Sequence, residues 1–137
     1  MNRIVLDTNS LIQIISIRSK YHNIWKSILH KKVILCITNE ILEEYEEILV
    51  RLTNYEYAQT VLSIILDNKN TEFISPSYRF NLIPSDPDDN KFVDCAIIAN
   101  AKYIVTEDNH FRILQQIDFP KVDIISLDDF LIFVNSL

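Results

Sequence analysis

The stretch Asp86–Asp108, DPDDNKFVDCAIIANAKYIVTED, decides how the rest of the chain is arranged. Asp86, Asp88 and Asp89 crowd a predicted helix start. From Asp89 or Asn90 the pattern runs as a helix to about Asn100. Phe92, Val93, Ala96, Ile97 and Ala99 give it a narrow face of mostly small residues, suited to close packing on a sheet. A short strand pattern, Tyr103–Thr106, follows and delivers another carboxylate at Asp108. A helix that begins on acids, then a strand that ends on one, is how a compact α/β domain can assemble a metal site.

Working outward, the N-terminal run Arg3–Leu6 is short and apolar, as expected of a central parallel strand covered on both faces. Asp7 falls at its C-terminal end, the edge where open α/β sheets bind ligands. Ser10 or Asn9 is the expected cap of the next helix, whose apolar face is Leu11, Ile12, Ile14 and Ile15. A second helix is expected over residues 21–31, then a strand at Val33–Ile37. From Thr38 or Asn39 a helix with an acidic first turn buries Ile41, Leu42, Tyr45, Ile48, Leu49 and Leu52. Its expected antiparallel partner spans 55–67 through Ala58, Val61, Leu62, Ile65 and Leu66. Glu72–Ser75 reads as a strand, and Pro76–Pro84 as an irregular segment anchored by Tyr78 and Phe80. After Asp108, Phe111, Ile113 and Leu114 mark a short helix, Val122–Ile125 a last strand, and Leu127–Leu137 an apolar tail. The fold class is α/β: three α/β/α layers around a mostly parallel sheet, with residues 1–137 as one domain.

Composition narrows the function. The chain has no glycine among its 137 residues, which removes the dinucleotide fingerprint, the phosphate-cradling loop and the nucleophile elbow together. Turns must rest on Asn, Asp, Ser and Pro. With 13 Lys and Arg against 19 Asp and Glu, the net charge of -6 argues against an all-round nucleic-acid glove, though not against a local basic rim. Cys36 and Cys95 lie in apolar patterns and are expected as free core thiols. No apolar run approaches the ~18 residues that span a bilayer, and Asp7 and Asn9 interrupt any secretory pattern. The expectation is a cytoplasmic protein with no membrane partner.

If the strands are parallel, one sheet edge gathers Asp7, Asp89 and Asp108, with Glu44 nearby on a helix. Clustered carboxylates repel one another unless cations neutralise them, and hard oxygen donors suit Mg²⁺ or Mn²⁺. Spacing alone favours a second reading: Asp89 as a helix cap, Asp7 and Asp108 as turn residues, Glu44 as one solvated acid among many.

Four blocks favour the metal reading, because together they resemble the PIN domain family. Val5–Asn9 is similar to its opening strand, Thr38–Leu49 to its second acidic block, Asp86–Phe92 to its third and Val105–Phe111 to its fourth. They occur in family order and span nearly the whole chain. The resemblance is to the bacterial branch labelled as toxin components of toxin–antitoxin systems, the VapC-like ribonucleases. It implies catalytic, metal-binding roles for Asp7, Glu44, Asp89 and Asp108, with Glu43 as the near neighbour of Glu44 and Asp86 and Asp88 as substitutes for Asp89. Asp94, five residues past Asp89 and so about 140° around the helix, is a secondary candidate from the flank. Thr8, Asn9, Thr106 and Asn109 match supporting polar positions. Many relatives carry an acid where this chain has His110; the readings for it are a ligand, a phosphate contact and a surface residue, the last being the expectation. Relatives often place glycine before the focal strand and after its Thr, where this chain reads Asn100-Ala101-Lys102 and Thr106-Glu107-Asp108.

The implied activity is Mg²⁺- or Mn²⁺-dependent hydrolysis of RNA, with Lys91, Lys102 and Arg112 as candidate backbone contacts, a cognate antitoxin as partner and a homodimer as assembly. The alternatives are a catalytically weak protein-binding module and a DNA- or structure-directed nuclease.

Overall fold

A computed structural model describes residues 2–137. Its centre is a five-stranded parallel sheet in the order β3-β2-β1-β4-β5. The strands are β1 (Arg3–Leu6), β2 (Ile34–Ile37), β3 (Glu72–Phe73), β4 (Tyr103–Val105) and β5 (Ile124–Ile125). Ile4, Val5 and Leu6 of β1 and all four residues of β2 are buried, as strands covered on both faces must be. The expected α/β class and parallel sheet are both observed. Four strands are shorter than expected: β2 begins at Ile34, β3 stops at Phe73, β4 at Val105, and β5 begins only at Ile124.

The helices are α1 (Thr8–Ile15), α2 (His22–Leu29), α3 (Asn39–Leu52), α4 (Tyr55–Asp67), α5 (Asn90–Ala99) and α6 (Leu127–Asn135). Parallel crossovers are right-handed, so the β1–β2 connection through α1 and α2 and the β3–β4 connection through α5 leave on opposite faces. Accordingly α5 packs on β1, β2 and β4, while α2 packs with α1 and α6. The α3–α4 hairpin joins the body through α3, which touches α1 and α5. Leu52 and Leu66, expected in its buried faces, lie exposed near the ends of their helices. None of the described helices is long and apolar enough to cross a membrane.

Strand order creates the functional crevice. The chain leaves β1 toward β2 on one side, and β4 lies on its other side. The C-terminal ends of β1 and β4 therefore form a topological switch point, where neighbouring connections diverge and leave a cleft. Asp7 follows β1 and Thr106–Asp108 follow β4.

Three local features replace glycine. Asn100 takes the left-handed conformation at the end of α5 (φ 53°, ψ 47°), which asparagine tolerates because its side chain bonds locally. Asn81 and Lys31 also have positive φ. The segment before α5 is strapped down by side chains: Asn90 accepts from Ile83 N–H (2.9 Å) and donates to the Ile83 carbonyl (3.1 Å), and Asp94 accepts from Phe80 N–H (3.1 Å). Tyr78 is no anchor; it stays exposed and only packs edge-on against Phe80.

Candidate metal centre

Asp7 is held from two directions. It is the cap of α1, displacing Ser10 and Asn9 from that expected role: its Oδ1 accepts from Ser10 N–H at 2.8 Å. Its Oδ2 accepts from the Thr106 hydroxyl across the β1–β4 junction. The same hydroxyl accepts from Asp108 N–H at 3.0 Å, so Thr106 sets both acids with one oxygen. Burial pushes the Asp7 carboxyl above the usual carboxylate range; the bonds from Thr106 and Ser10 oppose the rise, and the Asp108 charge adds to it. Asp7, Asn9, Ile12, Gln13, Glu107 and Asp108 line a cleft of about 270 Å³.

Glu44 reaches this edge because α3 is fastened to β1. The buried Tyr45 hydroxyl donates to the Leu6 carbonyl at 2.6 Å, one residue before Asp7 and one after Glu44. Glu44 Oε2 accepts from the Thr8 hydroxyl, and Oε1 pairs with Lys91 Nζ at 2.7 Å. The Lys91–Glu44 pair ties α5 to α3, and Lys91 also donates to the Asp88 carbonyl at 2.8 Å in the turn before its own helix. Glu43 faces elsewhere, into a groove between α3 and α4 with Glu46 and Gln59.

Asp89 belongs to a 3-10 turn, Pro87–Asp89, that leads into α5. Its side chain makes no capping bond, so the cap role open to it in the sequence is not the one it takes. Its Oδ2 is buried and has no hydrogen-bond partner among the described residues. The Asp89 carboxyl is pushed up to about 6, first by burial and then by the Asp86 and Asp108 charges, with His110 opposing. His110 stands among three acids: its Nδ1 lies 3.1 Å from Asp86 Oδ2, 3.4 Å from Asp89 Oδ2 and 3.4 Å from Asp108 Oδ1. Chiefly because of Asp108, the imidazole is raised above its ordinary value. One edge thus gathers Asp7, Glu44, Asp86, Asp89 and Asp108, with the Lys91 ammonium and the His110 imidazole among them.

The sequence model of the PIN domain family matches residues 3–110. The chain belongs to the PIN domain family. No curated protein sequence matches it significantly. Among solved structures, its fold is similar to a chain of VapBC2 from Rickettsia felis bound to a promoter DNA fragment. That match has a TM-score of 0.64 and 18% identity, and covers 90% of this chain and 98% of that one. It is also similar to a chain of DNA-bound VapBC from Salmonella typhimurium, with a TM-score of 0.60, 17% identity and coverage of 93% and 99%. A third similarity is to the PIN domain endonuclease Utp24, with a TM-score of 0.54, 17% identity and coverage of 90% and 84%. Identities this low establish a shared fold.

Within this PIN domain the remaining candidates fall in different places. Asp86 joins the cluster at its rim, whereas Asp88 is exposed and contributes its carbonyl to Lys91. Asp94 is buried; its Oδ1 accepts from the Phe80 amide and so anchors the strap, while its Oδ2 has no hydrogen-bond partner among the described residues. Asn9 is exposed on the cleft wall. Asn109 and Arg112 line a second cavity with Thr106, Asp108 and Gln115 beside the first. Lys102 precedes β4 and stacks on Tyr103 and Phe133, at the opposite sheet end from Asp108. His110 is exposed, as the surface reading expects, and it also stands among Asp86, Asp89 and Asp108. The available signal was its place two residues past Asp108, where a capped 3-10 start turns the chain back toward Asp86.

The donor set fits a divalent cation. Five carboxylates share one edge, and the buried Asp89 Oδ2 has no hydrogen bond among the described residues, only the approach of His110 Nδ1 at 3.4 Å. An oxygen in that state is costly unless a positive group meets it. Asp86, Asp89 and His110 place one donor atom each within 4.8 Å of one another, close enough for a single ion.

Proposed function

We propose that this PIN domain is a metal-dependent endoribonuclease that hydrolyses RNA phosphodiester bonds. The observation that carries the reading is the meeting of Asp7 and Asp108 through Thr106, with Asp89 joined to Asp108 through His110. Asp7, Asp89 and Asp108, with Glu44, would hold Mg²⁺ or Mn²⁺. When bound, such an ion supplies Lewis acidity toward water and phosphoryl oxygens.

The protein's own part is positioning. Thr106 aims Asp7 and fixes the backbone of Asp108. Thr8 and Lys91 hold Glu44 from both sides, and the Asp108 cap sets the Asn109–His110 turn. Asn9 and Arg112, on the rims of the two cavities, are placed to contact a phosphate backbone. Lys91 reaches a phosphate only by leaving Glu44, and Lys102 meets only a strand that wraps to the far end of the sheet. The resemblance to bacterial toxin components extends the proposal to a cognate antitoxin that covers the cleft, and to a homodimer.

The test is cleavage of a panel of single-stranded and structured RNAs, with matched DNAs, in Mg²⁺ or Mn²⁺. The account expects RNA cleavage, lost by at least about a hundredfold in Asp7→Asn with the fold retained. Equal cleavage by the variant contradicts the assignment. Cleavage of DNA alone moves the substrate class. Neither cleavage nor ion binding leaves a protein-binding module.

A further inference from the structure

His110 is exposed for about half its side chain, yet its ring is held in place. Asp108 caps the 3-10 segment Asn109–Gln116 by accepting from His110 N–H at 2.9 Å. That cap fixes the backbone from which the imidazole turns back toward the strap. Nδ1 arrives at nearly equal distances from Asp86, Asp89 and Asp108, at 3.1, 3.4 and 3.4 Å. A ring nitrogen serving one carboxylate would sit close to it and farther from the others. Three near-equal separations describe instead a ring nitrogen shared among them, and Nδ1 lies with one oxygen each of Asp86 and Asp89 within 4.8 Å, close enough to hold one ion. Two ligands at about 2.1 Å from one ion, at right angles, stand about 3.0 Å apart. The observed spacings are near that value.

We propose that His110 Nδ1 is a direct ligand of the ion held by Asp86 and Asp89, and that it shifts this position from Mg²⁺ toward first-row transition ions, with Mn²⁺ as the probe. The inference rests on the metal-dependent reading above and names the class of ion that the site prefers. Its chemistry is that of the donor set. Mg²⁺ takes oxygen donors and sheds water reluctantly, whereas imidazole suits first-row transition ions. Mn²⁺ accepts both donor types and gains less from imidazole than the later first-row ions do, so a shift from Mg²⁺ toward Mn²⁺ is the smallest effect the ring nitrogen should have. With Nδ1 as the donor, the ring proton resides on Nε2. Asp86 then serves as a ligand beside Asp89 rather than in place of it.

The competing account makes His110 a protonated counter-ion that leaves or stays when an ion binds, without touching it. Binding of Mn²⁺ alone and of Mg²⁺ alone to the purified protein and to His110→Asp separates the two. Calorimetry gives the affinities, and pulsed electron paramagnetic resonance of bound Mn²⁺ reports any directly bonded ¹⁴N. The expected results are a ¹⁴N coupling in the wild type that vanishes in the variant, and a fall of at least about tenfold in the Mn²⁺-to-Mg²⁺ affinity ratio. Mn²⁺ bound equally by both proteins, with no ¹⁴N coupling and an unchanged ratio, overturns the ligand role and leaves the ion centre standing. Failure of both proteins to bind either ion overturns the inference together with the reading beneath it.

Discussion

Asp89→Asn separates the stability of this PIN domain from its chemistry. Asp89 ionises at about 6 in the folded chain against an ordinary 3.8, mainly because burial disfavours its charge. The folded state therefore binds this proton more tightly than the unfolded state. Its contribution favours folding at low pH, fades as pH rises from 3.8 to about 6, and is a fixed penalty above that. A gap of about two pH units corresponds to about 3 kcal/mol at pH 7. His110 loses one of its partners in the variant, so the net gain is about 1–3 kcal/mol, or up to about 10 °C in Tm for a chain of this size. Divalent ions act in the opposite sense. At a hundredfold excess over Kd an ion stabilises the wild type by about 3 kcal/mol. Thermal unfolding at pH 7 in EDTA, then in excess Mn²⁺, is the assay. Asp89→Asn unfolds higher in EDTA and gains little from Mn²⁺, whereas the wild type gains the difference back. A variant no more stable than the wild type in EDTA, and equally raised by Mn²⁺, would refute the burial argument and the ligand role together.

Two further outcomes follow from the same geometry. Because Asp89 holds its proton up to about pH 6, and the His110 imidazole, raised above its ordinary 6.5, must also be neutral to serve as a ligand, Mn²⁺ affinity falls by at least about tenfold per pH unit below pH 6 and goes on rising above it; calorimetry at pH 5, 6 and 7 checks this, and a flat profile contradicts it. Tyr45→Phe removes the 2.6 Å bond to the buried Leu6 carbonyl and destabilises by about 1–3 kcal/mol in urea unfolding; a change below ~0.5 kcal/mol would show that α3 is fastened to β1 by packing alone.

The fold was legible because its signals are local. Short apolar strands alternate with helices, and the acids sit at strand ends, so Asp7 and Asp108 could be placed at one sheet edge before any coordinates. Glu44 followed from its place in the second block; that it faces Thr8 while Glu43 faces the α3–α4 groove is a rotation that periodicity does not resolve. What stayed hidden depends on contacts between distant segments. Lys91 looks like a free cation until α3 brings Glu44 against it. His110 looks like a surface residue until the strap brings Asp86 beside it. Asp94, placed on the flank of the cleft by helical angle, is taken up by the Phe80 amide of the same strap. Exposure at helix ends was equally invisible: spacing puts Leu52 and Leu66 on the apolar stripe but does not say where the neighbouring element stops. The segment after Asp108 showed its period only in space, since a 3-10 turn buries Phe111 and Leu114 three apart and leaves Ile113 outside.

The central claim is that separate acids of this PIN domain converge to hold catalytic ions. Crystals soaked in Mn²⁺ and measured near the manganese absorption edge test it most directly. The account predicts an anomalous peak within coordinating distance of Asp89, with Asp7 and Asp108 lining the same ion cluster. An empty cleft at saturating Mn²⁺, or a peak remote from all three aspartates, would contradict it.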